Sequence, residues 1–418
     1  MSRLFADLTP LRASPAYRRL WASLGVSNIG QQMTSVAVGL QVYELTDSSL
    51  MVGLVGLFQL VPLIGFGLYG GALSDTHDRR IVGLVTAAGL WACSVAFLAQ
   101  SLAGGTSVPL LYAIVAVQSG FFAVGSSARQ AIIPRLVGRD LLPAANALST
   151  MTWSLGFTLG PLIGGALVAA SGTVTTAYAA DVLAFAMLVW AMWRLPSMPP
   201  IPVAGERARA GWSAVREGFA FLRGKRNLQM TFYEDLIAMV FGMPRALFPA
   251  IAAQWYGGSV ADVALVLGLL SAAPALGALA SSVLSGPLGR IRWQGRAIVL
   301  SIVVWGVAIT AFGLVRWLPA ALLLLAVAGA ADNVSAVFRA TILQAATPDA
   351  YRGRLQGVFT VVVAGGPRLG DVEAGVVAAA FGEAFSVVSG GIACVVLASA
   401  LATRFPAFMR YDARDPVP

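Results

Sequence analysis

Gly156-Phe157-Thr158-Leu159-Gly160-Pro161-Leu162-Ile163-Gly164-Gly165 lies inside an apolar run, Leu148 to Ser171, that carries no charge. Gly156, Gly160 and Gly164 recur every fourth residue, so on an α-helix they form one bare stripe. Small residues at that spacing let two helix backbones approach closely in a bilayer. Pro161 has no N–H to give to the helix ladder, and its ring bends the helix. Ordinary close packing of membrane helices accounts for the stripe alone. Stripe and bend together, with Gly165 beside them, suit a hinge between two helix bundles.

The composition around this run fits a lipid environment. Of 418 residues, 58% are hydrophobic and 11% charged, against about 25% charged in an average soluble protein. A spanning helix needs about 20 mostly apolar residues. Twelve runs meet that need, at 20–43, 51–74, 80–102, 108–128, 145–171, 174–194, 228–252, 261–285, 296–316, 318–340, 354–380 and 384–404. Backbone groups in the bilayer core find no water, so helices are the expected form. The fold class is therefore an all-α membrane protein with twelve transmembrane helices, the lipid bilayer being its first partner.

The net charge of +9 does not form a patch for nucleic acid, and no nucleic-acid partner is expected. The arginines fall in short runs on alternate sides of the apolar segments. One side takes Arg3, Arg12, Arg18 and Arg19, then Arg79 and Arg80, then Arg129, Arg135 and Arg139, then the central loop and the C-terminal tail; the other takes only Arg316. Both termini are thus expected in the cytoplasm, with no cleaved signal peptide. Cys93 and Cys394 lie in apolar runs and His77 in a polar loop. No disulfide framework, metal site or cofactor is expected.

A linker of about 196–227 opens with Pro196-Ser197-Met198-Pro199-Pro200-Ile201-Pro202 and continues into a short amphipathic helix near 211–224. It separates a bundle at 1–195 from one at 228–418. The halves repeat. An offset of 210 residues sets Arg129 on Arg339, Ile132 on Ile342, Gly156 on Gly366, Gly160 on Gly370, Gly165 on Gly375 and Gly172 on Gly382, without a gap. Two six-helix bundles with parallel internal symmetry are an architecture of secondary transporters.

Several motifs carry a resemblance to one family. The Gly156–Gly165 string resembles the antiporter signature in the fifth helix of exporters of the major facilitator superfamily. Gly71-Ala72-Leu73-Ser74-Asp75-Thr76-His77-Asp78-Arg79-Arg80 resembles that superfamily's loop between helices two and three, which runs G-x-L-x-D-R-x-G-R-R. Gly71, Asp75, Arg79 and Arg80 match; Thr76 and Asp78 depart from it. The resemblance implies a cytoplasmic gate made by Gly71, Asp75, Arg79, Arg80 and Arg129. The corresponding stretch of the second half, Ser281 to Arg290, has no acid. Gln41 to Leu50, Pro134 to Arg139 and Thr347 to Arg354 are similar to the enterobactin-exporter branch, whose members export siderophores or other amphiphiles. Many drug exporters carry an R-x-x-Q-G pattern in the fourth helix; here Gln118 and Gly120 are present, but no arginine precedes them in that helix. Proton coupling by that arginine is excluded.

Polar groups inside spans are costly and usually face a cavity or each other. Asn28, Gln31, Gln32 and Ser35 share one face of the first helix. The seventh carries Glu234, Asp235 and Arg245, the tenth Asp332 and Asn333, the eleventh Arg368, Asp371 and Glu373. Arg368 and Asp371 stand three apart and are expected to pair. Substrate contacts are expected from Asn28, Gln31, Gln32, Arg245, Asp332 and Arg368. The proton-coupling carboxylate is expected at Asp235, with Asp371 as the other candidate. The functional reading is a monomeric exporter of an amphiphilic small molecule, such as a siderophore, driven by proton entry; broad multidrug efflux is the alternative. A polytopic enzyme would need converging nucleophile, base or metal ligands, which one loop histidine and scattered carboxylates do not supply. A non-transporting sensor on the same fold also remains open.

Overall fold

The computed structural model describes residues 7–138, 140–199, 212–285, 291–347, 349–412 and 414; the side chains at 68–72, 74–75, 212–215, 218, 349–354, 356–357 and 360 lie outside that description. Among the described residues every extended element is helical, with one isolated bridge between Trp293 and Asp412. We label the long helices α1 (Pro15–Thr46), α2 (Ser49–Thr76), α3 (Arg79–Leu102), α4 (Val108–Val137), α5 (Leu142–Ser171), α6 (Thr175–Trp193), α7 (Arg226–Phe241), α8 (Val260–Val283), α9 (Gln294–Leu314), α10 (Leu318–Ala346), α11 (Asp349–Phe381) and α12 (Glu383–Arg404). Each expected span has its helix. Among the described residues ten are long and apolar enough to cross a membrane, α7 being continued through Tyr256 for this purpose. α1 and α11 are as long but carry more charged and amide groups. A shorter helix, Trp212–Leu222, lies in the linker.

Large apolar side chains point outward along these helices, among them Val61, Leu183, Leu300 and Leu323. Their exposure would be a liability in water and is the ordinary condition of a surface solvated by lipid. The chain forms two compact units. Unit 1 is Met1–Leu45, Phe58–Gly211 and Ser259–Gly268; unit 2 is Thr46–Leu57, Trp212–Gly258 and Leu269–Pro418. The beginning of α2 thus belongs to unit 2, and the beginning of α8 to unit 1.

The sequence repeat reappears as repeated contacts. In unit 1, a Cβ added at Gly156 would lie 3.0 Å from Asn28 Cβ, and one at Gly160 would strike Gln32 Cβ, so α5 packs backbone-close on α1. In unit 2, a Cβ at Gly366 would lie 2.7 Å from Met239 Sδ and one at Gly370 would strike the Met239 carbonyl, so α11 packs on α7 in the same way. Gly165 sits against Ala264 and Gly268 of α8; its counterpart Gly375 sits against Ser49, Leu50 and Gly53 of α2. Gly172 and Gly382 end the two glycine-bearing helices with φ of 71° and 88°, which only glycine adopts freely, and each donates its N–H to the carbonyl four residues back.

The span expected at 228–252 is not one straight helix. α7 stops at Phe241, Gly242 caps it, and a 3-10 turn at Pro244–Leu247 follows. Pro244 cannot continue the ladder, and Trp305 Nε1 donates to the freed Gly242 carbonyl at 3.1 Å. A side chain at Gly242 would collide with Trp305 and Cys394. This break sets the position of Arg245.

Candidate functional site

Among the described residues the densest ionic cluster is in unit 2. Asp332, Ser335 and Arg339 lie at i, i+3 and i+7 on α10, one face of the helix. Ser335 Oγ accepts from Arg339 Nη1 at 2.9 Å. Arg339 Nη2 is 2.8 Å from Asp235 Oδ1 of α7 and 3.7 Å from Asp332 Oδ1. Asp235 and Arg339 are almost fully buried, whereas Asp332 is about one-third open. Thr231, Phe232, Asp235, Arg339, Leu343 and Phe359 line a small cleft beside the pair. Asp235 borders this cleft with a guanidinium as its immediate neighbour. Buried carboxylates seek such partners because an unpaired charge loses its solvation.

The second ionic pair follows from the break after α7. Arg245 Nε donates to Asp371 Oδ1 at 2.9 Å, and Nη2 to Oδ2 at 2.6 Å. This bidentate fork is the strong form of an arginine–carboxylate bond. It replaces the expected pairing of Asp371 with Arg368. A long helical side chain leans toward the N-terminus of its helix, and Arg368 accordingly gives Nη1 to the Ala364 carbonyl at 3.0 Å, one turn behind. Its Nε is buried without a hydrogen-bond partner among the described residues. Gly56 of α2 leaves room for the Asp371 side chain: a Cβ there would lie 3.0 Å from Asp371 Cβ. Asn333, next to Asp332, donates to Ser281 and Ser282 of α8 at 2.9 and 3.0 Å and ties α10 to that helix.

Unit 1 holds the first-helix amides and the glycine stripe. Asn28, Gln31 and Gln32 are half-buried on α1, where Asn28 and Gln32 meet the bare face of Gly156 and Gly160. Gly164 meets Met33, and the Pro161 carbonyl faces Gly268. Arg79 Nη1 donates to the Ala131 carbonyl and Arg80 Nη2 to the Trp193 carbonyl, at 3.3 and 2.7 Å. The side chains of Gly71 and Asp75 lie outside the described residues. Arg129 stacks over Phe122, its guanidinium 5.6 Å from the ring centroid. The repeat offset sets Arg129 on Arg339 and Phe122 on Asp332. One unit therefore faces its arginine with a ring where the other faces it with carboxylates.

Four residues acquire a role that residue-by-residue reading did not give them. Asp78, which breaks the family's glycine pattern, caps α3. It accepts from the N–H of Arg80 at 2.9 Å, from Met198 N–H at 3.0 Å and from the Ser197 hydroxyl. Partial burial raises its pKa, but these hydrogen bonds outweigh that and hold it below the ordinary carboxylate value. Arg339 stood out only as a repeat position. Glu234 is fully buried, with neither carboxylate oxygen hydrogen-bonded among the described residues. Asp181, in the middle of the apolar α6, is fully buried as well. The signal for both acids was the mere presence of an ionisable group within a span.

Residues 5–418 match the family model described as transmembrane secretion effector. The chain is 30% identical over 417 residues to the enterobactin exporter EntS of Citrobacter koseri, covering 99% of this chain and 97% of that one. It is 31% identical over 396 residues to the enterobactin exporter EntS of Shigella boydii serotype 18, covering 94% and 92%. Among solved structures it resembles a mutant of the nucleoside transporter NupG, with a TM-score of 0.76 and 15% identity over 93% of this chain and all of that one. A bacterial homologue of the human lysosomal transporter Spinster gives a TM-score of 0.72 at 15% identity, over 97% of each chain. At such identities these two likenesses speak to fold alone.

Proposed function

Because the chain belongs to the transmembrane secretion effector family of the major facilitator superfamily, and is thereby a multi-pass membrane transporter of small molecules, we propose that it exports an amphiphilic compound of the siderophore class from the cytoplasm. The observation that carries this reading is the near-full-length identity with proteins named as enterobactin exporters. The transporter works as a monomer in the cytoplasmic membrane with both termini inside, in keeping with the arginine distribution.

Export runs by alternating access against inward proton flow. Asp235 takes the proton. Its bond to Arg339 holds the ionised form; a proton arriving on the carboxylate removes the charge that Arg339 faces and loosens α7 from α10. Asp332 is then the remaining acid within reach of the guanidinium. Entry of one proton down a membrane potential supplies about 2.3 kcal/mol per 100 mV. Asp371 serves less well for this step, because both of its carboxylate oxygens are already engaged by the bidentate fork of Arg245.

A catecholate-type substrate presents anionic and hydroxyl oxygens. Arg368, whose buried Nε has no hydrogen-bond partner among the described residues, and the exposed part of Arg245 attract the anion. Gly156, Gly160, Pro161, Gly164 and Gly165 form the hinge, and Asp75 with Arg79, Arg80 and Arg129 the cytoplasmic gate. The test is expression in bacteria lacking their own enterobactin exporter, with the siderophore measured in the medium. Restored secretion supports the reading. Secretion no higher than with empty vector refutes it, and extrusion of lipophilic dyes by the same cells would substitute multidrug efflux.

A further inference from the structure

A second acid site is built into unit 1. Asp181 of α6 is fully buried. Its Oδ2 is 2.7 Å from Ser94 Oγ of α3, and Ser94 Oγ is 3.2 Å from the Leu90 carbonyl. A serine hydroxyl has one proton to donate. If Asp181 is ionised, Ser94 can serve only one of these two acceptors. If Asp181 carries a proton, it donates from Oδ2 to Ser94, and Ser94 donates to Leu90, so both contacts are hydrogen bonds. Oδ1 sits in the notch left by Gly30 of α1: a Cβ there would lie 2.5 Å from it and 2.8 Å from Ala184 Cβ. Thr34, one turn along α1, is near enough to act on the same carboxyl, but neither its hydroxyl nor Asp181 Oδ1 has hydrogen-bond geometry to a partner among the described residues.

The surrounding helices bring no counter-charge. α1 has no basic residue after Arg19, α3 none after Arg80, and α5 and α6 none at all. α4 has none before Arg129, whose guanidinium lies by Gly125 and Thr86, about two turns of α3 from Ser94. The other titratable groups on these elements near the site are Tyr178, Glu44 and the buried thiol Cys93, which add no positive charge. An isolated carboxylate in such surroundings becomes neutral rather than remain charged. From Tyr178, one turn before Asp181, a polar strip runs to the 103–107 loop. Tyr178 Oη donates to Gln41 Oε1 at 2.7 Å, Gln41 and Gln100 exchange amide bonds at 3.0 and 3.2 Å, and Gln41 Nε2 reaches the Gly105 carbonyl at 3.3 Å.

We propose that Asp181 is a second proton-binding site of this transporter, separate from the Asp235–Arg339 cluster, held here as the neutral carboxylic acid between Ser94 and Gly30. It exchanges that proton with water on the side of the 103–107 loop when α1 moves off α6, the acid becoming carboxylate and the proton passing to solvent. This rests on the transporter reading but on no particular substrate. The first arm of the test is infrared spectroscopy of the purified protein at neutral pH. A hydrogen–deuterium-sensitive carbonyl band of a protonated carboxyl is expected in the wild type and lost in Asp181→Asn, whose amide can still donate to Ser94. Ser94→Ala, which keeps the acid and removes its partner, should move that band to the position of a carboxyl without a hydrogen bond. Absence of the band, or a band untouched by both substitutions, overturns the proposal. So does a band that appears only when sodium is removed, which would make the occupant a metal cation. The second arm is accumulation in vesicles under an imposed pH gradient. Asp181→Asn should lower accumulation about tenfold per pH unit, the share of one coupled proton, and leave downhill exchange intact. Unchanged accumulation would make Asp181 a structural acid only. If no substrate is transported at all, the infrared arm still decides the protonation, so failure of the export reading is told apart from failure of this one.

Discussion

Replacing Gly160 by alanine tests the α1–α5 contact with a single methyl group. The added Cβ would collide with Gln32 Cβ and lie 2.9 Å from the Ile29 carbonyl oxygen. Carbon atoms in contact want about 3.5–4.0 Å, so α1 and α5 must part by about 1 Å or bend. Overpacking of that kind costs about 1–3 kcal/mol. Alanine also returns about 1 kcal/mol relative to glycine inside a helix, leaving a net loss of about 0–2 kcal/mol. Gly65 of α2 supplies the control, because a Cβ there meets nothing within 4 Å. Gly65→Ala should therefore stabilise by about 1 kcal/mol. The same chemical change is expected to act with opposite sign at the two positions. Thermal unfolding in detergent, followed by the fraction surviving size-exclusion chromatography after heating, reads the difference. Gly160→Leu should go further and reach the membrane without transporting. The reasoning fails if Gly160→Ala is as stable as Gly65→Ala, or if Gly160→Leu exports at the normal rate.

Single cysteines in the cytoplasmic linker and in the α7–α8 turn, Ser213→Cys and Gly258→Cys, should react with a membrane-impermeant thiol reagent only from inside and only from outside, respectively; the reverse labelling would invert the topology. Asp235→Asn should abolish uphill export and its pH dependence in reconstituted vesicles yet retain exchange down a gradient. Full uphill export by that variant, or loss of coupling in Asp371→Asn alone, would move the proton elsewhere. Asp78→Ala should cost about 1 kcal/mol through the lost helix cap. Because its folded-state pKa is lowered, the Asp78 contribution is complete at neutral pH and fades as the pH falls below the ordinary carboxyl value of about 3.9. Wild type and Asp78→Ala should thus converge in thermal stability in strong acid; a gap that widens there would refute the cap.

The sequence by itself determined the membrane class, the helical form of every expected span and the place of the close contacts. Long apolar runs in lipid have one economical way to satisfy their backbone, and a glycine repeat at helical spacing can face only a close neighbour. The repeat offset also reached beyond composition, since Gly156 with Gly366 and Gly165 with Gly375 make corresponding contacts in their separate units. The charged partners were another matter. Helix spacing offered Arg368 as the mate of Asp371, but side chains lean along their helix, and the break at Gly242–Pro244 delivered Arg245 instead. Arg339 and Asp235 stand about a hundred residues apart, and Asp181 and Ser94 nearly as far, so no local pattern announces either pair. Which acid receives a guanidinium, which meets a single hydroxyl, and which, like Glu234, is buried with no hydrogen bond among the described residues depends on the rotation of each helix about its axis. That rotation is set by packing on several neighbours at once, and only the tertiary structure records it.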